Sequence, residues 1–169
     1  MRVSTFLNLS MMEVQSTIAA WELCMPIDIR VLHNGIGILY ICRGTVNGKD
    51  FIDANNRLLS FKELLKQLRY GLVDMTAADD IQISESELLT ITAQDKKIAS
   101  FVPSEAVVAV IAKDDYALQI ASMWQSFIEH TGWETMTFRM RWKAESWIIE
   151  RVKANFGINL VFDNGLTVI

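Results

Sequence analysis

Apolar and polar residues alternate along the chain with two periods, and these periods predict its secondary structure. Residues 27–31 alternate as in a half-buried strand, and Asn34 with Gly35 is typical of a two-residue hairpin turn. Residues 36–42 are almost continuously apolar, which indicates a second strand covered on both faces. Residues 44–48 are expected to be a loop. The regular part of the chain therefore begins with an antiparallel hairpin.

Apolar residues at steps of three and four predict helices after this hairpin. The stretch 51–68 fits one long helix or two short helices broken near Ser60. Residues 70–75 are then expected to form a strand that leads into a loop. Ser84 with Glu87 three residues later is a capping box, which marks the start of the next helix.

The last third of the chain repeats this alternation of strand and helix. Residues 106–112 are too short for a helix and too apolar for an edge, so we expect the central strand of a sheet there. A helix over 114–131 and a strand over 135–140 follow, and a last helix has an inner face at Ala144, Trp147, Ile148, Val152 and Phe156. The order ββαβαβαβα predicts an α/β fold, a mostly parallel sheet flanked by helices with an N-terminal antiparallel hairpin.

Composition narrows the class of partner. Of 169 residues, 51% are hydrophobic and 21% are charged, which is typical of a domain with its own core. The net charge of -4 gives no general attraction for nucleic acid or anionic lipid. No stretch approaches the roughly 18 to 20 apolar residues that a membrane helix needs. Cys24 and Cys42 lack further metal ligands nearby, so we expect free thiols, no metal and a cytoplasmic location.

The first 25 residues do not follow the pattern of the rest. Glu13 and Glu22 interrupt the apolar stretch that a signal peptide would need. Residues 1–25 are therefore expected to be either an extra amphipathic helix or a leader created by an early start codon, with Met25 as the true start. Residues 26–169 are expected to be a single domain.

Several segments together resemble a known family. They are the strand end Val73-Asp74-Met75-Thr76, the apolar run 106–110, Phe138, and the helix Ala144-Glu145-Ser146-Trp147-Ile148. This pattern resembles the bacterial SpoIIAA-like proteins, which are related to STAS and CRAL-TRIO-type domains, over residues 26–157. The resemblance implies the fold and a regulatory or binding role, and it implies no enzymatic chemistry.

The STAS regulators suggest one candidate modification site. They carry a phosphorylatable serine at the start of the helix after the third strand, and Ser84 or Ser86 has this position here. The sequence departs from their Asp-Ser-Ser-Gly pattern. Its Glu85 and Glu87 would repel a phosphate. The cap of its helix is the favoured explanation of Ser84, because Glu87 completes the capping box.

Residue patterns for catalysis are lacking. His33 and His130 have no cysteine, serine or acidic partner at the spacing of a triad or a metal site, so both are expected at the surface. Residues 44–50 are one residue short of a phosphate loop. The carboxylates of Asp74 and the 79–80 pair are expected to be solvated. We therefore expect no catalytic residues, no metal and no cofactor.

Two binding hypotheses remain. The first is a non-enzymatic module that contacts a protein partner or a second copy of itself through a helix face or a sheet edge, with Leu118 and Met123 as the candidate helix residues. Next to Trp142, the arginines Arg139 and Arg141 suggest a basic, aromatic rim for an acidic partner or a lipid headgroup.

The alternative is a carrier of a small apolar, lipid-like molecule, with a pocket beneath the 114–131 helix at Trp124. A cavity lined by Ala117, Ala121 and Trp124 would favour the carrier. An exposed apolar patch containing Leu118 and Met123 would favour the interaction module.

Overall fold

A computed structural model describes residues 25–162 of the chain. The strands in this range are β1 (Ile27–Leu32), β2 (Gly37–Cys42), β3 (Gly44–Asn47), β4 (Tyr70–Asp74), β5 (Ala78–Gln82), β6 (Val107–Ile111) and β7 (Glu134–Phe138). The helices are α1 (Gly48–Leu59), α2 (Lys62–Gln67), α3 (Glu85–Ala99), α4 (Asp115–Ile128) and α5 (Arg141–Phe156). Short 3-10 turns cover His33–Gly35 and Glu129–Thr131. No helix of the described range is long and apolar enough to cross a bilayer.

Five strands form the main sheet, in the order β1-β2-β4-β6-β7. β1 runs antiparallel to β2, with Ile27 opposite Cys42, and all other pairs are parallel. The predicted α/β fold with an N-terminal antiparallel pair is therefore confirmed. The central strand is β4 and not the expected run at 106–112, because β7 adds only one strand beyond β6.

A second, two-stranded sheet lies where loops were expected. β3 pairs in parallel with β5, with Val46 opposite Ile81. The prediction of a loop over 44–48 was wrong because this strand buries only Val46, between the exposed Thr45 and Asn47, which is too short a pattern to recognise. The pair brings the starts of α1 and α3 together, and the Gly48 backbone packs against the Glu87 side chain.

The main sheet has a helical layer on each face. One face, with Ile38, Tyr40 and Val110, packs in one core cluster with residues of α1 to α4. The opposite face packs in a second cluster around Leu72 and Ile148, and α5 covers it. The alternation of side chains along parallel strands separates the two clusters.

Three of the described helices start at a residue whose side chain caps them, and one of these is the predicted Ser84. Asn47 accepts from the Asp50 backbone N–H, and Ser84 does the same for Glu87, each as part of a full capping box. The cap of α4 is Asp114, whose Oδ1 accepts a hydrogen bond from the Ala117 backbone N–H at 2.8 Å. The break near Ser60 is present, so the two-helix alternative for the 51–68 stretch is the observed one.

Some sequence predictions lie outside the described residues. The leader or extra helix before Met25 and the thiol of Cys24 are not among residues 25–162. They stay predictions, as does the domain boundary at residue 26.

Candidate ligand-binding cavity

An apolar cavity lies between the main sheet and the helices α1, α3 and α4. Its volume is about 130 Å³. The residues that line it include Tyr40 on β2, Val110 on β6, Leu58 on α1, Ile91 on α3 and Ala121 on α4. A cavity of roughly 150 Å³ accepts a molecule of the size of benzene, so this one can hold a ring or a short branched chain.

Gly71 on the central strand contributes to the space. It lies between Ile38 of β2 and Val108 of β6 in the register of the sheet, and it lines the cavity. Its backbone has no positive φ, so the conformation does not require glycine. A Cβ at this position would meet Ile38 and Val108 at 3.6 and 3.7 Å, which is ordinary contact. The missing side chain at residue 71 therefore leaves a gap that alanine would occupy without a clash.

One hydrogen-bonded network forms the polar part of the cavity wall. The Tyr40 hydroxyl donates to Asn55 Oδ1 at 3.0 Å, and Asn55 Nδ2 donates to Asp95 Oδ1 at 2.9 Å. The Trp124 indole Nε1 donates to Asp95 Oδ2 at 2.7 Å. All four residues line the cavity. The network thus joins β2, α1, α3 and α4 at the carboxylate of Asp95.

Burial changes the acidity of this network. It raises the pKa of Asp95 from an ordinary 3.8 to about 6, although the hydrogen bonds from Trp124 and Asn55 hold it lower than burial alone would. Burial also raises the pKa of Tyr40 above its ordinary value, and the Asp95 charge adds to this effect. Tyr40 is therefore a neutral donor at physiological pH, whereas Asp95 changes its charge within the accessible range.

Trp133 adds an unusual donor to the lining. Its indole Nε1 is buried and has no hydrogen-bond partner within the part of the chain that the structure describes. An unpaired buried N–H costs free energy, about 1 to 3 kcal/mol.

The structure gives the five α4 residues singled out from the sequence different environments. Trp124 lines the cavity, as does Ala121, whereas Ala117 is buried but is not part of the lining. Leu118 and Met123 are half-buried and pack against the core cluster on this side of the sheet. The helix face that was considered for a protein contact is therefore mostly occupied by the core.

The basic rim suggested around Trp142 is largely paired. Arg139 forms an ion pair with Asp115, and Arg141 contacts both Asp74 at 3.3 Å and Glu145 at 2.7 Å. Trp142 itself is 61% exposed, with the Lys143 ammonium 5.5 Å from its ring centroid. Both arginines are exposed but hold ion pairs, and Trp142 is the exposed aromatic group beside them.

Ser84 and Ser86 lie at the start of α3 and are exposed. The Ser84 hydroxyl donates to Glu87 Oε2 at 2.6 Å and accepts from the Glu87 backbone N–H at 3.3 Å. The Ser86 hydroxyl lies 3.2 Å from that of Ser84. The hydrogen bonds from Ser84 lower the pKa of Glu87, so its negative charge occupies the place that a phosphate would need.

The two histidines have different environments, and the expectation for His33 was wrong. His130 is exposed, whereas His33 is half-buried, with Nδ1 2.5 Å from the Tyr70 hydroxyl and Nε2 2.8 Å from the Val161 carbonyl. His33 and Asn34 lie in a turn and have positive φ. The partner is distant in sequence, so spacing could not reveal it.

Carboxylates at the end of β4 do not form a cluster. Asp74 is buried and accepts from the Thr76 backbone and hydroxyl, while Asp79 and Asp80 are exposed on β5. Asp74 is therefore not the solvated residue that was expected. Within residues 25–162 no three His, Cys, Asp or Glu side chains are arranged to hold a metal ion.

Asp95 and Asn55 were missed in the sequence, although a signal existed. In α3 the buried positions are Leu88, Ile91, Thr92, Asp95 and Ile98, and in α1 Asn55 is buried beside Ala54 and Leu58. Both polar residues thus occupy inner-face positions of an amphipathic helix. A carboxylate at such a position needs a partner, and this requirement was the available signal.

No family model matches the chain, and no curated protein does either. Among solved structures, the chain is similar to an uncharacterised protein of the DUF3478 family with a SpoIIAA-like fold from Shewanella loihica PV-4. The identity is 20% over 72% of this chain and 91% of that one, with a TM-score of 0.44. That protein is described with the fold that the residue pattern predicts here, and at this TM-score the match says nothing about function.

Proposed function

We propose that this protein is a non-enzymatic binding module that holds a small apolar molecule in the cavity beneath α4. The observation that carries the proposal is the cavity itself, about 130 Å³ in volume and lined by Ala121 and Trp124. Protein interiors are packed with few voids larger than a water molecule, so an apolar space of this size favours a ligand. The half-buried state of Leu118 and Met123 weighs against a protein contact at this helix.

The size of the cavity restricts the ligand. A space that accepts a molecule of about the size of benzene cannot enclose a long acyl chain. The lipid-like carrier considered from the sequence is therefore narrowed to a small ring or branched aliphatic group.

The polar wall supports a binding role more than a catalytic one. Asp95, Asn55, Tyr40 and Trp124 hydrogen-bond one another, and none of them is a nucleophile activated by a base. Such a network fixes the orientation of a ligand, which is the usual role of a few polar groups in an apolar pocket.

The test is occupancy of the cavity by a defined apolar probe. Toluene binding is measured by calorimetry or by NMR shifts in the wild type and in Ala121→Leu, which fills the cavity from α4. Leu89→Ala is the matched control, because Leu89 is 51% exposed on α3. We expect binding in the wild type and the control and loss of binding in Ala121→Leu. Absence of toluene binding to the folded wild type would refute the proposal.

A second candidate function is a homodimer through the edge strand β7, acting in regulation as the STAS-like resemblance implies. The observation in its favour is a group of exposed apolar side chains around the end of β7. Met136 is 44% exposed, Met140 is 52% exposed and Trp142 is 61% exposed. The outer edge of β7 has no strand partner in the described sheet, so an antiparallel copy could pair with it.

Sedimentation velocity separates this candidate from the first. The pair Met140→Glu and Trp142→Glu is expected to convert a dimer into a monomer, whereas Leu118→Glu with Met123→Glu tests the face of α4. A wild-type protein that sediments as a monomer at high concentration would exclude the dimer.

A further inference from the structure

The carboxylate of Asp95 is a buried acid beside an apolar space. Asp95 is 8% exposed and lines the cavity at its contact with Trp124. Each of its oxygens accepts one hydrogen bond, from Asn55 and from Trp124. A carboxylate offers about four acceptor sites, so about two receive no donor from residues 25–162.

The carboxylate of Asp95 has no ion-pair partner among the residues that the structure describes. A buried charge is normally paired, because neutral hydrogen bonds replace only part of its hydration. A cationic donor would therefore fill the free acceptor sites and neutralise the charge.

We infer that the ligand of this cavity is a small aromatic or branched aliphatic amine whose ammonium group binds Asp95. The inference rests on the proposed function and specifies the ligand class. An ammonium has three donors, two of which match the free acceptor sites of the carboxylate, and the apolar remainder of the molecule fills the space beside Gly71.

The sharpest probe is a pair of molecules of equal size. Benzylamine carries an ammonium group at neutral pH, and ethylbenzene has a methyl group in its place. Binding of both is measured by calorimetry to the wild type, to Asp95→Asn and to Asp79→Asn, a control that removes a charge at an exposed aspartate. We expect benzylamine to bind the wild type and the control at least about tenfold more tightly than ethylbenzene. The preference is expected to vanish in Asp95→Asn.

The pH dependence of benzylamine binding to the wild type tests the inference without a variant. Burial raises the pKa of Asp95 to about 6, so the affinity for benzylamine is expected to fall about tenfold for each pH unit below that value, whereas the affinity for ethylbenzene stays constant. The other titratable residues on the lining are Tyr40 and Tyr70, and burial raises both of their pKa values above the ordinary value, away from this range.

The outcomes separate the two proposals. Ethylbenzene binding without a preference for benzylamine, or a preference that survives in folded Asp95→Asn, would overturn the amine inference and leave the cavity proposal intact. Binding of neither probe to the folded wild type would overturn the cavity proposal and the amine inference with it. If Asp95→Asn does not fold, a flat pH profile for benzylamine in the wild type overturns the inference.

Discussion

The gap left by Gly71 can be tested directly, because alanine fits the space and glycine has no backbone reason to be there. Gly71→Ala adds one methyl group on the face of the central strand that lines the cavity. The new Cβ would contact Ile38 Cγ2 at 3.6 Å and the two Cγ atoms of Val108 at 3.7 Å. These are ordinary distances, so neither neighbour has to move.

The expected gain in stability has two parts. Glycine within a strand is less stable than alanine by about 0.5 to 1 kcal/mol, because the unfolded chain loses more freedom. Burial of a methyl group contributes about 0.8 kcal/mol. Together they raise the free energy of unfolding by about 1.5 kcal/mol. For a chain of this size that corresponds to a rise in Tm of about 3 to 6 °C.

The same methyl group is expected to weaken ligand binding. It occupies part of a cavity of about 130 Å³, so toluene must displace its neighbours to enter. Crowding of this kind costs about 1 to 3 kcal/mol, which is a loss of roughly fivefold or more in affinity. A variant that is more stable and binds less is the signature of a cavity kept open for a ligand.

Differential scanning calorimetry with and without toluene measures both effects. Gly37→Ala is the control glycine on the neighbouring strand β2, where a Cβ would lie 2.1 Å from Cζ of Tyr70 and must destabilise the protein. A lower Tm for Gly71→Ala, or an unchanged affinity for toluene, would show that the reasoning is wrong.

Three further predictions concern the polar wall and the cap of α3. Burial raises the pKa of Asp95 from 3.8 to about 6, so the protonated carboxyl stabilises the fold. This stabilisation is full below pH 3.8 and is lost as the pH rises through about 6. The unfolding free energy of the wild type relative to Asp95→Asn, from urea titration, should thus fall by about 3 kcal/mol between about pH 3.5 and 7.5. Trp124→Phe should lower the unfolding free energy by about 1.5 to 3 kcal/mol more than Trp133→Phe, because only the Trp124 indole N–H has an acceptor; equal losses in denaturant titrations would contradict this. Ser84→Ala should cost about 1 kcal/mol in thermal unfolding and Ser84→Asp almost nothing, while Ser86→Ala stays within about 0.5 kcal/mol.

The sequence predicted the main sheet and its helices because their signals are local. Caps such as Asn47, Ser84 and Asp114 hydrogen-bond within three residues, and apolar periodicity identified the inner faces of the helices. The contacts of β3 with β5 and of His33 with Tyr70 join residues more than 30 positions apart. Short polar strands and single side-chain pairs carry no periodic signal over such a separation.

For the cavity, too, local sequence patterns predicted the helix above it but not the contacts between residues distant in sequence. The sequence predicted a helix over 114–131, and a pocket beneath it at Trp124 was one of the two binding hypotheses. Its size depends on Gly71, which the sequence shows only as a glycine in a short apolar run. The partner of the Trp124 indole is Asp95, 29 residues earlier, and no spacing rule connects the two.

Two costs to the stability of the fold coincide at the cavity, and one ligand would remove both. A space of about 130 Å³ that side chains leave unfilled costs about 3 kcal/mol relative to a packed core, at roughly 24 cal/mol per Å³. Keeping Asp95 ionised at neutral pH costs a further amount of the same order, since its pKa is raised to about 6. Both are large against a total stability of about 5 to 15 kcal/mol. Because an apolar amine would fill the space and neutralise the carboxylate together, the protein should gain more stability from benzylamine than from ethylbenzene at equal concentration. That excess should disappear at about pH 5, where Asp95 is protonated.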